Sequence, residues 1–456
     1  MASEGRNSCE TDGEGFFNCL QSKTSGKTYD NLYDFMKITT EQLSPEQTFF
    51  VLDFADILWK IQLWKEKLPN VVPFYAVKVH SDPVLVRLFA LLGFSFDCST
   101  KGEIDLFLKN GGKPQNVIYA HTIKPYSSLK YASEVGVDLM TFDSEEELQK
   151  IKKFYPTARL VIRIKAESPK SLYYDLNTKY GCAQEEVKQL LIKAKDLDMN
   201  VVGISFHVGA CCADPTSYSK TIRTCRILFD FAEELGFHFT LLDIGGGFCG
   251  SREKEQFFDE VSSEIRNGVK KYFPDNSVRV IAEPGCYFVG SAQRNVTCVL
   301  GKKTVNKLPR QVNGDQHEIE ENGVEKHYFV NDGYYGSFFR QFELYDIYAR
   351  PLLKQEEIKK RPVYKSTIWG QTCCSEDYIM PECTLPEVTD GEYLVWENMG
   401  AYSFAVATEF TVVPLPQAKR VFIKNSRLQL DWIQNLDEIT NFLTNNVVLI
   451  ENESFP

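Results

Sequence analysis

Where apolar runs stop in the first 290 residues, the chain repeatedly places a group that can do chemistry. In order these are Lys78, Asp97, His121, Asp143, Arg163, His207, Asp243 followed by Gly245, Gly246 and Gly247, and Glu283. Lys78 stands in "FYAVKV", among residues expected to be buried. A lysine so placed snorkels to water, pairs with an acid, or loses its solvation and becomes a nucleophile. The triplet "GGG" after "LLDI" presents backbone N–H groups with no side chain in the way, which suits a phosphate. A plain tight turn is the commoner meaning of three glycines. Glu283 precedes a Pro-Gly turn in "AEPG". For any single member of the set, capping a loop or meeting water is the simpler explanation; together they argue for a site. Much further on, "IWGQTCCSED" sets Cys373 beside Cys374 in a polar stretch.

The elements that must position these groups are short and regular. Eight β-rich apolar runs recur: "VVPFYAVKV" (71–79), "FSFDC" (94–98), "VIYAH" (117–121), "LMTFD" (139–143), "RLVIRI" (159–164), "VVGISFHVG" (201–209), "FTLLDIGGG" (239–247) and "VRVIAEPG" (278–285). Between them lie helix-like stretches. One is 144–154, opened by a Ser144/Glu147 capping box; another is 215–236, with apolar residues at helical spacing. Eight β/α alternations suggest an α/β fold of the (β/α)8 barrel type, with a doubly wound open sheet as the rival that periodicity leaves standing. In a barrel the strand ends converge on one mouth. A lysine, a glycine loop and an inward carboxylate there fit pyridoxal phosphate, with Lys78 as the Schiff-base lysine, the loop on the phosphate and Glu283 on the ring nitrogen.

After about residue 288 the pattern changes to "NVTCVLGKKTV", "KHYFVNDGYYG", "RPVYKSTIWG", "GEYLVWENMG" and "FTVVPLP", runs that read as strands separated by turns. The expected organisation is therefore an N-terminal segment 1–45 packing with the β domain, a barrel over 46–287, a C-terminal β domain over 288–420 and a tail over 421–456 that adds a helix and a strand. The polar stretch 306–326 reads as a loop.

Composition narrows the function. Net charge is −11 with no long basic run, so no nucleic-acid partner is expected. The polar, acidic N-terminus lacks the marks of a signal peptide, and no apolar run reaches the ~18 residues of a membrane span. No membrane partner and a cytosolic location are expected. Thirteen cysteines without a C-x-x-C give no support to a zinc ribbon, and no metal site is expected.

"PFYAVKVHSDP", "FDCSTKGEI", "SFHVGACCADP", "LLDIGGGFCG", "AEPGCYFV", "VNDGYYGSF", "ELYD", "GQTCCSED" and "ENMGAY" resemble, in the right order from about residue 30 to 415, the eukaryotic ornithine decarboxylase family. The resemblance implies a pyridoxal phosphate enzyme with an alanine-racemase-like barrel, a C-terminal β domain and a homodimer with shared active sites. It implies Lys78 as the Schiff-base lysine, Glu283 as the pyridinium partner and His207 stacked on the cofactor ring. Asp97 and Arg163 become polar groups around the cofactor and its lysine. Gly245, Gly246, Gly247, Gly285 and Tyr402 become phosphate ligands. Cys373 becomes the residue that crosses the dimer to protonate the α-carbon after CO2 leaves, and Lys179 with Asp377 an intersubunit salt bridge. Asp346 and Cys374 occupy the positions that face the substrate's distal end.

Three departures bear on function. Ala210 and Cys286 stand where the family has a serine and an arginine on the phosphate, each lost contact being worth about 1.5–3 kcal/mol. Cys374 stands where the family has the aspartate that grips the distal amine. Losing that carboxylate favours a neutral aliphatic substrate, leucine being nearest in length, and resembles a vertebrate branch of the family that decarboxylates leucine. Asp346 argues for ornithine or lysine. The other alternative is a non-catalytic binder of antizyme, like the antizyme inhibitors; survival of Lys78, Asp97, His207, Glu283 and Cys373 favours catalysis, and antizyme binding is the weaker expectation.

Overall fold

The computed structural model describes residues 11–24, 28–44, 47–167, 176–275, 277–306 and 323–456. Most of the polar stretch expected as a loop, residues 307–322, lies outside them. The chain divides into two compact units. One contains residues 58–290 and 429–442; the other contains 11–57, 291–428 and 443–456.

The first unit is built on a closed parallel barrel whose strands are Val71–Ala76, Ser95–Cys98, Val117–Tyr119, Leu139–Phe142, Arg159–Arg163, Asn200–Ser205, Leu241–Asp243 and Arg279–Ala282. Closure decides between the two architectures: the eighth strand pairs with the seventh on one edge and with the first on the other, Val280 opposite both Leu242 and Val71. Phe74, Ile118, Leu139, Val161, Leu241 and Ile281, each 6 % exposed or less, cluster as an apolar core of these strands. Polar residues are thereby left to the strand ends.

The helices between strands start where the sequence marks them, with one difference. Helix Glu145–Phe154 is capped by Ser144, whose side chain accepts from Glu147 N at 3.3 Å. The reciprocal half of the expected capping box is not made. The Glu147 carboxylate instead takes the buried Lys124 ammonium at 2.9 Å, a pairing that a fully enclosed cation demands. Helix Thr216–Glu234 covers the expected 215–236 stretch.

The second unit is built on a ten-stranded mixed sheet. Its longest strand, Gln293–Asn306, pairs with Phe49–Asp53, Val324–Val330 and Tyr393–Glu397. Phe49–Asp53 thus joins this sheet and not the barrel. Tyr328, Val330, Ile368, Leu394 and Trp396 lie in its core. One strand expectation needs correction. "FTVVPLP" is not a strand: Phe410–Val412 forms a single 3-10 turn in which Thr411 and Val412 have φ of 55° and 63°. Conversely Tyr378–Pro386 is a strand despite Pro381 and Pro386. It lies at the sheet edge, where a missing N–H leaves no ladder bond broken. The tail contributes helix Leu436–Asn446 and strand Val448–Ile450. Among the described residues no helix is long and apolar enough to cross a membrane, and no cluster of potential metal ligands occurs.

Candidate active site

The first barrel strand ends at Ala76, and Lys78 sits in the 3-10 turn Val77–Val79 that follows. Val77 and Val79 are 0 % and 2 % exposed and anchor the turn, which turns the lysine between them toward the mouth with its side chain 39 % exposed. Its neighbours are buried as expected, and of the fates open to a lysine so placed Lys78, half-open, takes the pairing with an acid. Its ammonium makes an ion pair with Asp97 Oδ2, in the second strand. The Asp97 carboxylate is fully enclosed, and its other oxygen meets no donor. A carboxylate without water needs such a cation, so Asp97 holds the amine of Lys78 in place.

Next to these groups, on the strands that complete the barrel, two acids meet. Asp243 ends the seventh strand and Glu283 follows the eighth, 0 % and 6 % exposed. The backbone joins them through the glycine loop: Gly245 N donates to Asp243 Oδ1 at 2.9 Å and Glu283 N donates to Gly245 O at 2.8 Å. Burial pushes both carboxyls up; for Glu283 the negative charges of Asp243 and Asp97 push in the same direction, against Lys78 and Arg163. Asp243 Oδ2 has no donor. Two enclosed acids in contact either share a proton or hold a cation. Arg163, the last residue of the fifth strand and 7 % exposed, lies in the same field, its guanidinium 5.8 Å from the Tyr180 ring.

His207 lies two residues past the sixth strand. Its Nδ1 accepts from Gly209 N at 3.0 Å. Burial, then the positive charges of Arg163 and Lys78, hold it well below the usual imidazole range. The ring is therefore neutral near pH 7, with its proton on Nε2. A Cβ on Gly246 would stand 2.8 Å from that Nε2. Gly245 and Gly247 have φ of 65° and 110°, the left-handed region that suits glycine. The triplet is therefore more than a tight turn: it allows the backbone to run directly beneath an imidazole. A Cβ on Gly285 would fall 2.3 Å from Val79 Cγ2, so that glycine lets the eighth loop close against the turn carrying Lys78.

The barrel thus brings together Lys78, Asp97, Arg163, His207, Gly245, Gly246, Gly247, Glu283 and Gly285. Two other strand-end groups serve loops, as the simpler explanation has it. His121 Nδ1 accepts from Ile123 N at 3.0 Å, and Asp143 Oδ2 from Gly181 N at 2.8 Å. Sequence reasoning gave no role to Asp243 as partner of Glu283, although "LLDIGGG" displays it, and passed over Ser205, whose buried hydroxyl has no hydrogen-bond partner. Lys179 is exposed, its ammonium 5.0 Å from the Tyr180 ring.

The remaining expected residues belong to the sheet unit. Cys373 is exposed and Cys374 half-buried, its sulfur 3.1 Å from the Tyr335 phenol oxygen. Asp377 is 1 % exposed. Its Oδ1 accepts from Tyr334 N at 2.7 Å; its Oδ2 accepts from Thr372 N and Oγ1 at 2.8 and 2.6 Å. Both oxygens of the residue expected to pair with Lys179 across subunits are thus used in shaping its own cysteine loop. Asp346 is exposed, and its carbonyl accepts from Asn398 Nδ2 at 2.8 Å. Tyr402 has φ 51°, with its carbonyl accepting from Gln341 Nε2 at 2.6 Å.

The barrel groups fit pyridoxal phosphate. A half-open amine held by a buried carboxylate, an acid pair with an orphaned oxygen suited to a protonated ring nitrogen, and a neutral imidazole over a side-chain-free loop match the aldehyde, ring and phosphate of that group.

Residues 54–290 match the family model described as pyridoxal-dependent decarboxylase, pyridoxal binding domain. The chain is 40 % identical over 392 residues to ornithine decarboxylase from Rattus norvegicus, covering 86 % of this chain and 84 % of that one. It is also 40 % identical over 371 residues to antizyme inhibitor 2 from Xenopus laevis, covering 81 % and 80 %. Among solved structures, the arginine decarboxylase of Paramecium bursaria Chlorella virus superposes with a TM-score of 0.77 at 28 % identity, covering 86 % of this chain and all of that one.

Proposed function

Because the chain belongs to the pyridoxal-dependent decarboxylases, within the eukaryotic ornithine decarboxylase family, we propose that it removes CO2 from a neutral aliphatic L-amino acid, L-leucine foremost, to give the primary amine. It is a pyridoxal phosphate-dependent amino-acid decarboxylase; the choice of substrate is the proposal. The observation that carries it is the pairing of Cys374 with Tyr335, a thiol against a phenol where a carboxylate would be needed to hold a distal ammonium. A site built to hydrogen-bond a polar group rejects substrates lacking it by about 10⁴-fold or more, and a site without that demand accepts an apolar chain.

Pyridoxal phosphate, when bound, supplies an electron sink for the charge left on the α-carbon by departing CO2. Lys78 would supply the amine that meets its aldehyde, and Asp97 orients that amine. Glu283, with Asp243 behind it, would favour a protonated ring nitrogen. His207 is a neutral imidazole and would bring no charge to compete with that proton. Gly245, Gly246, Gly247 and Gly285 would hold the phosphate, with Tyr402 as the further ligand that the family resemblance implies, and Arg163 would balance the acids. Cys373 of the partner subunit would deliver a proton to the substrate α-carbon, which requires an approach of about 3–3.5 Å. The working unit is accordingly a homodimer, with Lys179 at its contact and Asp377 shaping the loop that carries Cys373.

A second reading has the similarity to antizyme inhibitor 2 in its favour: a chain that binds antizyme and does no chemistry. Carboxyl-labelled leucine separates the two. Labelled CO2 released by the wild type and not by Lys78→Ala supports catalysis; antizyme capture without release of CO2 supports the second reading.

A further inference from the structure

The loops leaving the sixth, seventh and eighth barrel strands each carry a thiol: Cys211, Cys249 and Cys286, none in a disulfide. The loops touch. Cys212 N donates to Gly247 O at 3.0 Å, and a Cβ on Gly250 would fall 1.8 Å from Cys286 O. Within this contact the Cys211 thiol hydrogen-bonds the Cys249 sulfur, with Cys286 in the same field. Cys211 has φ 46°, a left-handed conformation that a residue with a Cβ adopts only where its surroundings impose it. Cys211 is half-buried and Cys249 is 9 % exposed.

We propose that Cys211 and Cys249 form a reversible disulfide that loosens the grip of the barrel on the cofactor phosphate. The oxidant is a hydroperoxide. The pair gives up one proton, and the sulfur left negative attacks one oxygen of hydrogen peroxide. The O–O bond breaks and hydroxide leaves, taking up that proton as water. The second sulfur then attacks the sulfenic sulfur; the S–O bond breaks, and a second water departs with the second thiol proton. Two thiols are oxidised and one peroxide is reduced to two waters. A disulfide brings its sulfurs to about 2.05 Å, closer than any thiol hydrogen bond, so closing it draws the two loops together. One loop holds His207 through Gly209 N, and the other begins with the glycine triplet. Both are displaced from the geometry that suits the phosphate.

The inference rests on pyridoxal phosphate as cofactor and not on the choice of amino acid. Holoenzyme is treated with hydrogen peroxide, remaining thiols are blocked, and the digested protein is mapped by mass spectrometry. The cofactor affinity of the same samples, stripped and titrated, is read from cofactor absorbance. The expected result is a single Cys211–Cys249 linkage, reversed by dithiothreitol, with affinity at least about tenfold weaker while it is closed. Cys211→Ser and Cys249→Ser should bind pyridoxal phosphate as the untreated wild type does and ignore peroxide. A map without that linkage, a linkage through Cys212 or Cys286 in its place, or an affinity unchanged by the linkage overturns the proposal. If either variant fails to fold, the wild-type map and its paired affinities decide the matter alone. A wrong substrate assignment leaves every one of these readings unaffected.

Discussion

The phenol oxygen of Tyr335 lies 3.1 Å from the sulfur of Cys374. That bond, ahead of burial, pushes Tyr335 up to about 12, so the phenol keeps its proton at neutral pH. Restoring a carboxylate should restore a preference for a distal ammonium. In Cys374→Asp, the ratio of diamine to aliphatic amine product should rise by about 10²-fold or more, a fraction of the discrimination available to a site with a polar demand. Product analysis by mass spectrometry checks this. An unchanged ratio would sink the pocket assignment.

Cys286 sits at the head of the short helix Cys286–Val289, directly after Gly285. Placing a guanidinium there supplies a charge-assisted contact to phosphate worth about 1.5–3 kcal/mol. Cys286→Arg should therefore bind pyridoxal phosphate about 10- to 100-fold more tightly. Titration of the stripped protein measures it, and an affinity equal to that of wild type would place the phosphate elsewhere.

The Asp243–Glu283 pair ties cofactor-free stability to pH. Burial raises both carboxyls above their unfolded values of about 4, so across the intervening range the folded chain binds more protons than the unfolded one. The pair's contribution is therefore present at low pH and lost as pH rises. Asp243→Asn removes one member and relieves the other. The stability advantage of wild type over this variant should shrink by about 1–2 kcal/mol between pH ~5 and ~8, one pKa unit being about 1.4 kcal/mol. Urea unfolding of stripped protein at several pH values tests the slope; a pH-independent difference would refute shared protonation.

Much of this was legible beforehand, and the exceptions have causes. The barrel strands carry dense β-branched and aromatic runs, so their existence and order are readable, and closure follows once Val280 is seen opposite both Leu242 and Val71. The edge strand Tyr378–Pro386 is hidden because its prolines are tolerated only at an edge, which no local pattern reveals. "FTVVPLP" misleads in the other direction: β-branched residues suggest a strand, yet Thr411 and Val412 turn left-handed. Lys78 was identifiable by type, but its half-open position depends on a 3-10 turn whose two valines are anchored by packing. Asp243 was visible without its role, because pairing with Glu283 is a relation between neighbouring strands.

Asp377 gives a prediction for the cysteine loop. Besides its three accepted bonds, it fills the space beside Gly333 and Gly370, where added Cβ atoms would fall 2.2 Å from its Oδ1. Asp377→Ala orphans two backbone donors in a buried place and should lower stability by about 2–4 kcal/mol, at about 1–3 kcal/mol for each buried group left unpaired. It should also lower activity more than thermal unfolding alone explains, since Cys373 and Cys374 ride on that loop. A calorimetric scan beside an assay well below the transition separates the two effects. Unchanged stability would deny Asp377 its structural role.

The central claim is that this decarboxylase acts on an uncharged side chain. The most direct measurement supplies purified protein with pyridoxal phosphate in excess, offers each of the twenty amino acids and ornithine singly, and quantifies amine and CO2, with Lys78→Ala as the blank. The account predicts isopentylamine and CO2 from leucine in equal amounts, little from ornithine or lysine, and nothing from the blank. Diamine as the main product, or no amine from any of them, would contradict it.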